Sequence, residues 1–153
     1  MLVRQVMSKK VLTITPDFTF QKIVKFLSKH NVSGVPVVNK KKRVIGVISE
    51  KDLFHKLFPK QKTFYKDAEY YMNYDRMERD APAVLKIPAR KIMSKKVIHV
   101  APDDHVLKAC SLFMVHGIRR LPVIDKGRLV GIVTTGSIYR NFLMHITEGG
   151  IVL

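Results

Sequence analysis

The chain has 153 residues, and its 28 lysines and arginines against 12 aspartates and glutamates give a formal net charge of +16. The apolar content of 46% lies in short clusters, which excludes wholesale disorder, and no apolar run approaches the roughly 18 residues that span a bilayer. Met1 to Lys10 lacks the apolar core of a signal peptide, and Cys110 is the sole cysteine, so we expect a cytoplasmic domain without disulfides or membrane insertion. The charge makes nucleic acids, nucleotides and other polyanions the candidate partners.

Two stretches, near the start and in the second half of the chain, are nearly the same. Arg4 to Pro16 reads RQVMSKKVLTITP, and 86 residues later Arg90 to Pro102 reads RKIMSKKVIHVAP. The same offset relates His30 to His116, and one residue is then lost in a turn. The sequence therefore predicts two copies of one structural unit.

A short strand and an amphipathic helix open each copy. The predicted strands are Val11 to Ile14 and Val97 to Val100. The helix that follows has apolar residues at i, i+3, i+4 and i+7, which form one face. These are Phe20, Ile23, Val24 and Leu27 in the first copy and Val106, Ala109, Cys110 and Phe113 in the second. Asn31 and Gly117 mark the helix ends, because both tolerate the left-handed conformation.

A hairpin and a second helix complete each copy, so that the order is β-α-β-β-α. The β-branched runs that predict the hairpins are Val35 to Val38 with Val44 to Ile48, and Leu121 to Ile124 with Leu129 to Val133. Short polar segments join the runs of each pair, as in a β-hairpin. The second helices are expected to start near Ser49 and Thr134.

The two copies are separated by an insert. Tyr65 to Met77 is rich in aromatic and charged residues, and nothing there breaks a helix before Pro82. We therefore predict an ordered helix that packs on one edge or on a partner subunit. The predicted organisation is a first copy over residues 1–58, a helical insert over 59–88, a second copy over 89–147 and a C-terminal tail over 148–153.

The hairpin regions carry the most specific motifs. His30 to Val38 reads HNVSGVPVV and Gly46 to Leu53 reads GVISEKDL, while His116 to Ile124 reads HGIRRLPVI and Gly131 to Ile138 reads GIVTTGSI. Two such signatures in register resemble a tandem pair of CBS domains, the Bateman module. The resemblance implies an α+β fold in which two motifs pack as a pseudo-twofold pair, here with a helical insert between them. It also implies a homodimer.

The same resemblance implies a function. CBS pairs are non-enzymatic regulatory modules, including energy sensors, that bind AMP, ADP, ATP or S-adenosylmethionine in the cleft between the two motifs. No cofactor is required, and the output would lie in an unknown effector protein. We find no catalytic motif and no metal-ligand spacing among the histidines.

Ser49 and Asp52 fit the Ser/Thr-x-x-Asp pattern with which the family contacts ribose. The same spacing at a helix start is typical of a capping box, and the motif alone favours the cap. Both can hold, since the serine can cap while the aspartate faces the cleft, and with the resemblance we favour ribose binding by Ser49 and Asp52. The second copy keeps Thr134 but has Ser137 in place of the aspartate, and an uncharged hydroxyl cannot accept from two ribose hydroxyls as a carboxylate does. The sequence therefore predicts two unequal sites.

Arg119 and Arg120 occupy positions at which related modules carry phosphate-contacting residues, and guanidinium groups match phosphate oxygens. Ser33 stands at the equivalent place in the first copy and is a candidate ligand contact. The alternative is that the two arginines are solvated surface residues, and we expect this of one of them.

Four apolar residues complete the candidate ligand-binding set. In the family, the segments of Met7 and Met93 help to line the base pocket, with Val32 and Ile118 on the opposing side. For each of the four residues taken singly, a place in the core is the stronger expectation.

The positive charge leaves a second function open. The basic residues lie scattered in turns and at helix ends, as in solvated faces. Their number exceeds what one small ligand needs, so a basic scaffold that binds nucleic acid or an acidic partner protein remains the alternative.

Overall fold

The computed structural model describes residues 1–59 and 61–149, with only the backbone of Gln61; of the predicted tail, residues 150–153 lie outside this part. The chain divides into two compact units. The N-unit is Thr13–Val97, and the C-unit combines Met1–Leu12 with the chain from Ile98 onward. We call residues 1–12 and 89–97 the leading segments of the two sequence copies. Each unit thus contains the hairpin of one copy and the leading segment of the other copy. No helix in the described residues is long and apolar enough to cross a membrane.

The leading segment of the chain belongs to the core of the C-unit. It forms a short helix, α1 (Val3–Val6). Val3 is fully buried and Val6 is 5% exposed, and both pack in one cluster with residues of the second copy such as Val106 and Leu121. Burying two valines contributes on the order of 3–6 kcal/mol, which is enough to hold the segment in place.

The N-unit follows the predicted order of elements. Helix α2 (Phe20–His30) ends at Asn31, whose φ of 50° is left-handed as expected. Strands β1 (Gly34–Val38) and β2 (Val44–Ser49) form an antiparallel hairpin, and helix α3 (Glu50–Leu57) follows.

Two sequence expectations for this unit are wrong. Val24 is 42% exposed, because the buried face of α2 is the narrower set Phe20, Ile23 and Leu27. The predicted strand over Val11 to Ile14 is reduced to a single parallel bridge between Ile14 and Val37.

The insert is a series of short turns. Helix α4 (Gln61–Phe64) is followed by a 3-10 turn, Tyr65–Asp67, and by helices α5 (Ala68–Tyr71) and α6 (Tyr74–Asp80), and a second 3-10 turn spans Ala81–Val84. The prediction of one helix over Tyr65 to Met77 is therefore wrong. Asn73 interrupts it, because its side chain accepts a hydrogen bond from the backbone N–H of Arg76 at 3.0 Å and starts a new helix.

The C-unit repeats the pattern. Its elements are helix α7 (Val106–His116), antiparallel strands β3 (Arg120–Asp125) and β4 (Arg128–Thr134), helix α8 (Thr135–Ile138), a π-helical turn (Tyr139–Leu143) and helix α9 (Met144–Thr147). Gly117 ends α7 with a φ of 60°. Cys110 is only partly buried at the edge of the core, while the predicted strand over Val97 to Val100 is one bridge between Val100 and Val123.

Each leading segment is bound to the hairpin of the other copy through the same set of contacts. Ser8 and Ile132 exchange two backbone hydrogen bonds of 2.9 Å, and Ser94 and Val47 exchange two of 3.0 and 3.1 Å. The preceding methionine then lies over a strand glycine, Met7 over Gly131 and Met93 over Gly46. A Cβ on Gly131 or Gly46 would lie 2.6 or 2.5 Å from the methionine Sδ. Ion pairs add a further link at the surface, Arg4 with Asp103 and Arg90 with Asp17.

Replacing Gly46 with alanine tests this contact. The new Cβ would force Met93 to move, so we expect a loss of about 1–3 kcal/mol in the free energy of unfolding. The double variant Gly46→Ala/Met93→Ala should lose less than the sum of the two single variants, because the crowding side chain is gone. Chemical denaturation of the three variants measures these losses.

Gly136→Ala is the matched control. Gly136 lies in α8, and the nearest atom to a Cβ there is the flexible end of Arg140 at 3.3 Å. Alanine at this helical position should leave stability unchanged or raise it by up to about 1 kcal/mol. Equal losses at Gly46 and Gly136 would contradict the proposed role of the methionine contact.

Candidate functional site

In the N-unit, the predicted site residues Ser33, Ser49 and Asp52 meet at one end of the hairpin. Gly34 pairs with Ser49 across the two strands, and the backbone N–H of Glu50 donates to the carbonyl of Ser33 at 2.9 Å. The approach is so close that a Cβ on Gly34 would lie 2.5 Å from the carbonyl oxygen of Ile48. The start of α3 is thereby fixed beside Ser33.

Asp52 faces back toward the start of its helix. The backbone N–H of Ser49 donates to Asp52 Oδ2 at 2.8 Å, and the Ser49 hydroxyl donates to the same oxygen at 3.0 Å. The half of the predicted capping box in which Asp52 accepts from the Ser49 N–H is therefore present. Asp52 is half-buried, and its other oxygen, Oδ1, accepts no hydrogen bond from any residue that the structure describes. One carboxylate oxygen holds the helix start, and the other keeps its capacity to accept hydrogen bonds.

The equivalent end of the C-unit differs chemically. The backbone N–H of Thr134 donates to Ser137 Oγ at 2.9 Å, and that hydroxyl donates to the Thr134 carbonyl at 2.8 Å. Ser137 is only 9% exposed. Its single proton is already used, and the hydroxyl has no charge.

Arg119 and Arg120 lie in the C-unit, next to Thr134. The backbone N–H of Thr135 donates to the Arg119 carbonyl at 3.1 Å, as Glu50 does to Ser33 in the N-unit. Arg120 pairs with Thr134 across the strands and is half-buried, whereas Arg119 is exposed. The cationic pair and Asp52 therefore belong to different units.

The four apolar candidates are all partly exposed, so none lies fully in the core. Val32 and Ile118 follow the helix ends, where their N–H groups donate to Leu27 and Phe113. The exchange of leading segments places Met93 in the unit of Asp52 and Met7 in the unit of Ser137. This placement was missed by the sequence analysis, and no sequence signal could have found it, since both copies carry the same MSKKV segment.

Other chemistry is limited in the part of the chain that the structure describes. It contains no group of three or more histidine, cysteine, aspartate or glutamate side chains that could hold a metal ion. Burial raises the pKa of the Cys110 thiol, which disfavours its reactive thiolate form. The basic pairs Lys9-Lys10 and Lys95-Lys96 are exposed. Binding of nucleic acid or of an acidic partner stays a prediction.

The fold is that of a protein made from two copies of one α+β motif, each with a hairpin that leads into a capped helix. A family model described as the CBS domain matches residues 3–59 and 89–143. The chain belongs to the CBS-domain family, and the predicted fold class is confirmed.

Known relatives and one solved structure support this assignment. The chain is 30% identical over 151 residues to a CBS domain-containing protein of Dictyostelium discoideum, covering 96% of this chain and 94% of the relative. It is 29% identical over 150 residues to an uncharacterized protein of Methanocaldococcus jannaschii, covering 90% and 89%. The crystal structure of the CBS domain pair of protein MJ0100 in complex with 5′-methylthioadenosine and S-adenosyl-L-methionine has a TM-score of 0.69 and 25% identity, with 94% and 97% covered.

The hydrogen bond from the Ser49 N–H to Asp52 predicts different effects of two substitutions on stability. Asp52→Ala removes the acceptor for the Ser49 N–H, so the free energy of unfolding should fall by about 0.5–2 kcal/mol. Asp52→Asn retains a carbonyl oxygen in that place and should cost less. Urea denaturation without any ligand compares the two variants, and an equal loss in both would show that the charge rather than the acceptor holds the cap.

Proposed function

We propose that this protein is a regulatory module that binds an adenosine-containing ligand through Asp52. The observation that carries the proposal is the carboxylate of Asp52, which caps α3 with Oδ2 and leaves Oδ1 as an acceptor at the end of the hairpin. A ribose presents two adjacent hydroxyl donors, for which a carboxylate is a strong partner. The CBS domain pair of protein MJ0100, 25% identical, was crystallised with two adenosine compounds, which supports the same ligand class here.

The resemblance to CBS-domain pairs implies a regulatory and not a catalytic role. We therefore propose that the ligand shifts the population between arrangements of this protein and so changes its action on an effector protein. A homodimer in the cytoplasm and a role in energy sensing are parts of the proposal. AMP, ADP, ATP and S-adenosylmethionine are the candidate ligands.

The two units are proposed to differ in affinity. In the C-unit, Ser137 is buried and its hydroxyl is held by Thr134. Freeing that hydroxyl would break a helix cap, and it would still lack the charge that strengthens a hydrogen bond to ribose. We assign ribose binding to the N-unit, with Ser33 and Ser49 beside Asp52.

The other candidate residues have narrower proposed roles. Val32 and Met93 would contact the base in the N-unit, and Ile118 and Met7 hold the equivalent places in the C-unit. Arg119 and Arg120, next to Thr134, would contact phosphate. Because Arg119 is exposed, its guanidinium can reach a ligand without unfolding any element.

A thermal-shift panel of AMP, ADP, ATP and S-adenosylmethionine tests the proposal. A ligand at 100 times its dissociation constant adds about 2.7 kcal/mol of stability, which raises the melting temperature by roughly 5–10 °C for a chain of this size. Asp52→Asn should lower the affinity at least tenfold, because it keeps the cap and loses the carboxylate.

Ser137→Ala is the matched control for Asp52→Asn. It loses the equivalent cap in the C-unit, so its melting temperature without ligand should fall, while the shift on adding ligand should remain. If none of the four ligands shifts the wild-type protein, the proposed function fails. If the two variants lose the same share of the shift, the assignment of the ribose to Asp52 fails.

The phosphate role of Arg119 predicts a difference between ligands. Arg119→Gln should weaken ATP binding at least fivefold and leave adenosine binding unchanged, because adenosine has no phosphate. Arg128→Gln, at the exposed turn of the same hairpin, removes the same charge and serves as the control. Isothermal titration calorimetry with ATP and adenosine measures the four pairs. A similar loss for both ligands, or for both variants, would contradict a specific phosphate contact.

A further inference from the structure

The ends of the two hairpins present opposite hydrogen-bonding groups. In the N-unit the Ser49 hydroxyl donates to Asp52 Oδ2 at 3.0 Å, and the other carboxylate oxygen keeps its capacity to accept. In the C-unit the Thr134 hydroxyl accepts from the backbone N–H of Ser137 at 3.1 Å. Its own hydrogen is donated to no acceptor in the part of the chain that the structure describes, so the C-unit has a donor where the N-unit has an acceptor.

The charged residues near the two ends follow the same division. Helix α3 has Glu50 and Asp52 in its first turn, whereas the first turn of α8 contains no acidic residue. The sequence from Lys126 to Thr147, which includes β4 and all of the helical chain after it, contains no aspartate or glutamate. Arginines therefore set the electrostatic potential at the C-unit end.

Arg140 is an arginine of this end that has no role in the site proposed above. It follows Gly136 by four residues, and a Cβ on Gly136 would lie 3.3 Å from the guanidinium Nη1 and 3.8 Å from Thr134 Oγ1. Because glycine has no side chain, the space between the guanidinium and the hydroxyl stays open. Arg140 is exposed and forms no ion pair with a residue that the structure describes.

Arg120 lies beside the same threonine. Arg120 and Thr134 are directly opposite each other in the antiparallel pair of β3 and β4, and residues so paired project from the same face of the hairpin. Thr134 thus has one arginine across the strands and the Arg140 guanidinium beside the glycine that follows it in α8.

The fold does not require either arginine. The N-unit forms the same antiparallel hairpin and the same helix start with Gly34 in the place of Arg120. His55 stands in the place of Arg140, and its ring Nδ1 lies 3.2 Å from the carbonyl oxygen of Phe58 at the end of α3. The two guanidinium groups are therefore a chemical difference between units of equal architecture.

We propose that Arg140 and the Thr134 hydroxyl, together with Arg120, form a donor-only site for a phosphoryl group in the C-unit. The inference extends the phosphate contact proposed above for Arg119, but it needs neither a ribose nor Asp52. Phosphate oxygens carry negative charge and accept hydrogen bonds, and a guanidinium group can donate two parallel hydrogen bonds to them. The hydroxyl adds a donor that no residue of the described chain uses.

Calorimetric titration of the full chain with inorganic pyrophosphate, without any nucleotide, tests this site. The titration is made at about 0.15 M salt, where interactions between distant exposed charges are screened. We expect the wild type to bind and Arg140→Gln to bind at least tenfold more weakly. Thr134→Val should also bind more weakly, whereas Thr134→Ser, which keeps the hydroxyl and the helix cap, should bind like the wild type.

Lys10→Gln is the matched control for Arg140→Gln. It removes one exposed positive charge from the same unit. The antiparallel bridge between Ser8 and Ile132 directs the segment after Ser8 away from Thr134, so Lys10 lies outside the proposed site. Both variants should keep the melting temperature of the wild type. Equal losses of affinity in the two variants would overturn the proposal, and so would a wild-type chain that does not bind pyrophosphate.

Competition distinguishes two sources of the phosphoryl group. If the site takes the phosphate chain of a nucleotide, pyrophosphate should displace ATP but not adenosine. If it takes a free anion, saturating pyrophosphate should leave the affinity for ATP unchanged, and either result supports the site. Pyrophosphate binding without any shift in the nucleotide panel would support this inference while the proposed function fails. Nucleotide shifts without pyrophosphate binding would overturn this inference alone.

Discussion

The structure depends on the way each leading segment is bound to the hairpin of the other sequence copy. A pair of backbone hydrogen bonds joins the segment to the second strand of the hairpin, β2 or β4, and a methionine of the segment lies over a glycine of that strand. The contact requires glycine, since the space of a Cβ is taken by the Met93 or Met7 side chain. It also buries Val3 and Val6, so the C-unit is not complete without the first residues of the chain.

The candidate site and the fold use the same side chains. In both copies a polar residue three positions into the second helix satisfies the backbone N–H that precedes the helix. An aspartate can do this with one oxygen and keep the other, whereas a serine has only one. The difference between Asp52 and Ser137 thus preserves the hydrogen bond at the helix start, while only the N-unit has the carboxylate that the proposed ribose contact needs. A capping role and the proposed binding role are therefore compatible at Asp52, as the sequence motif allows, although the cap is made by the aspartate rather than by the serine alone.

Much of the fold could be predicted from the sequence, because each helix and hairpin of one copy has a counterpart with the same pattern in the other copy. The helix ends at Asn31 and Gly117 and the hairpins are local features, and they are found where expected. The exposure of Val24 could not be predicted, because four apolar positions at helical spacing do not show how wide the buried face is. The break at Asn73 was missed because a lone asparagine is tolerated within helices as well as at their starts. The exchange of leading segments could not be predicted either. Each segment could bind either of two similar hairpins, and the local hydrophobic periodicity does not show which of the two it binds.

The exchange also gives the proposed regulation a physical route. Asp52 follows β2, and β2 holds Ser94 through the two hydrogen bonds of Val47. Only three residues separate Ser94 from Ile98, where the chain enters the other unit. A ligand that favours one position of the end of β2 would favour one position of the bound segment, because the two share a backbone ladder. The linked unit would then be biased by the difference between the ligand's binding free energies for the two positions, as population shift requires. If each leading segment stayed with its own copy, only the insert would join the two copies covalently. No segment hydrogen-bonded to the strand before Asp52 would then continue into the other unit.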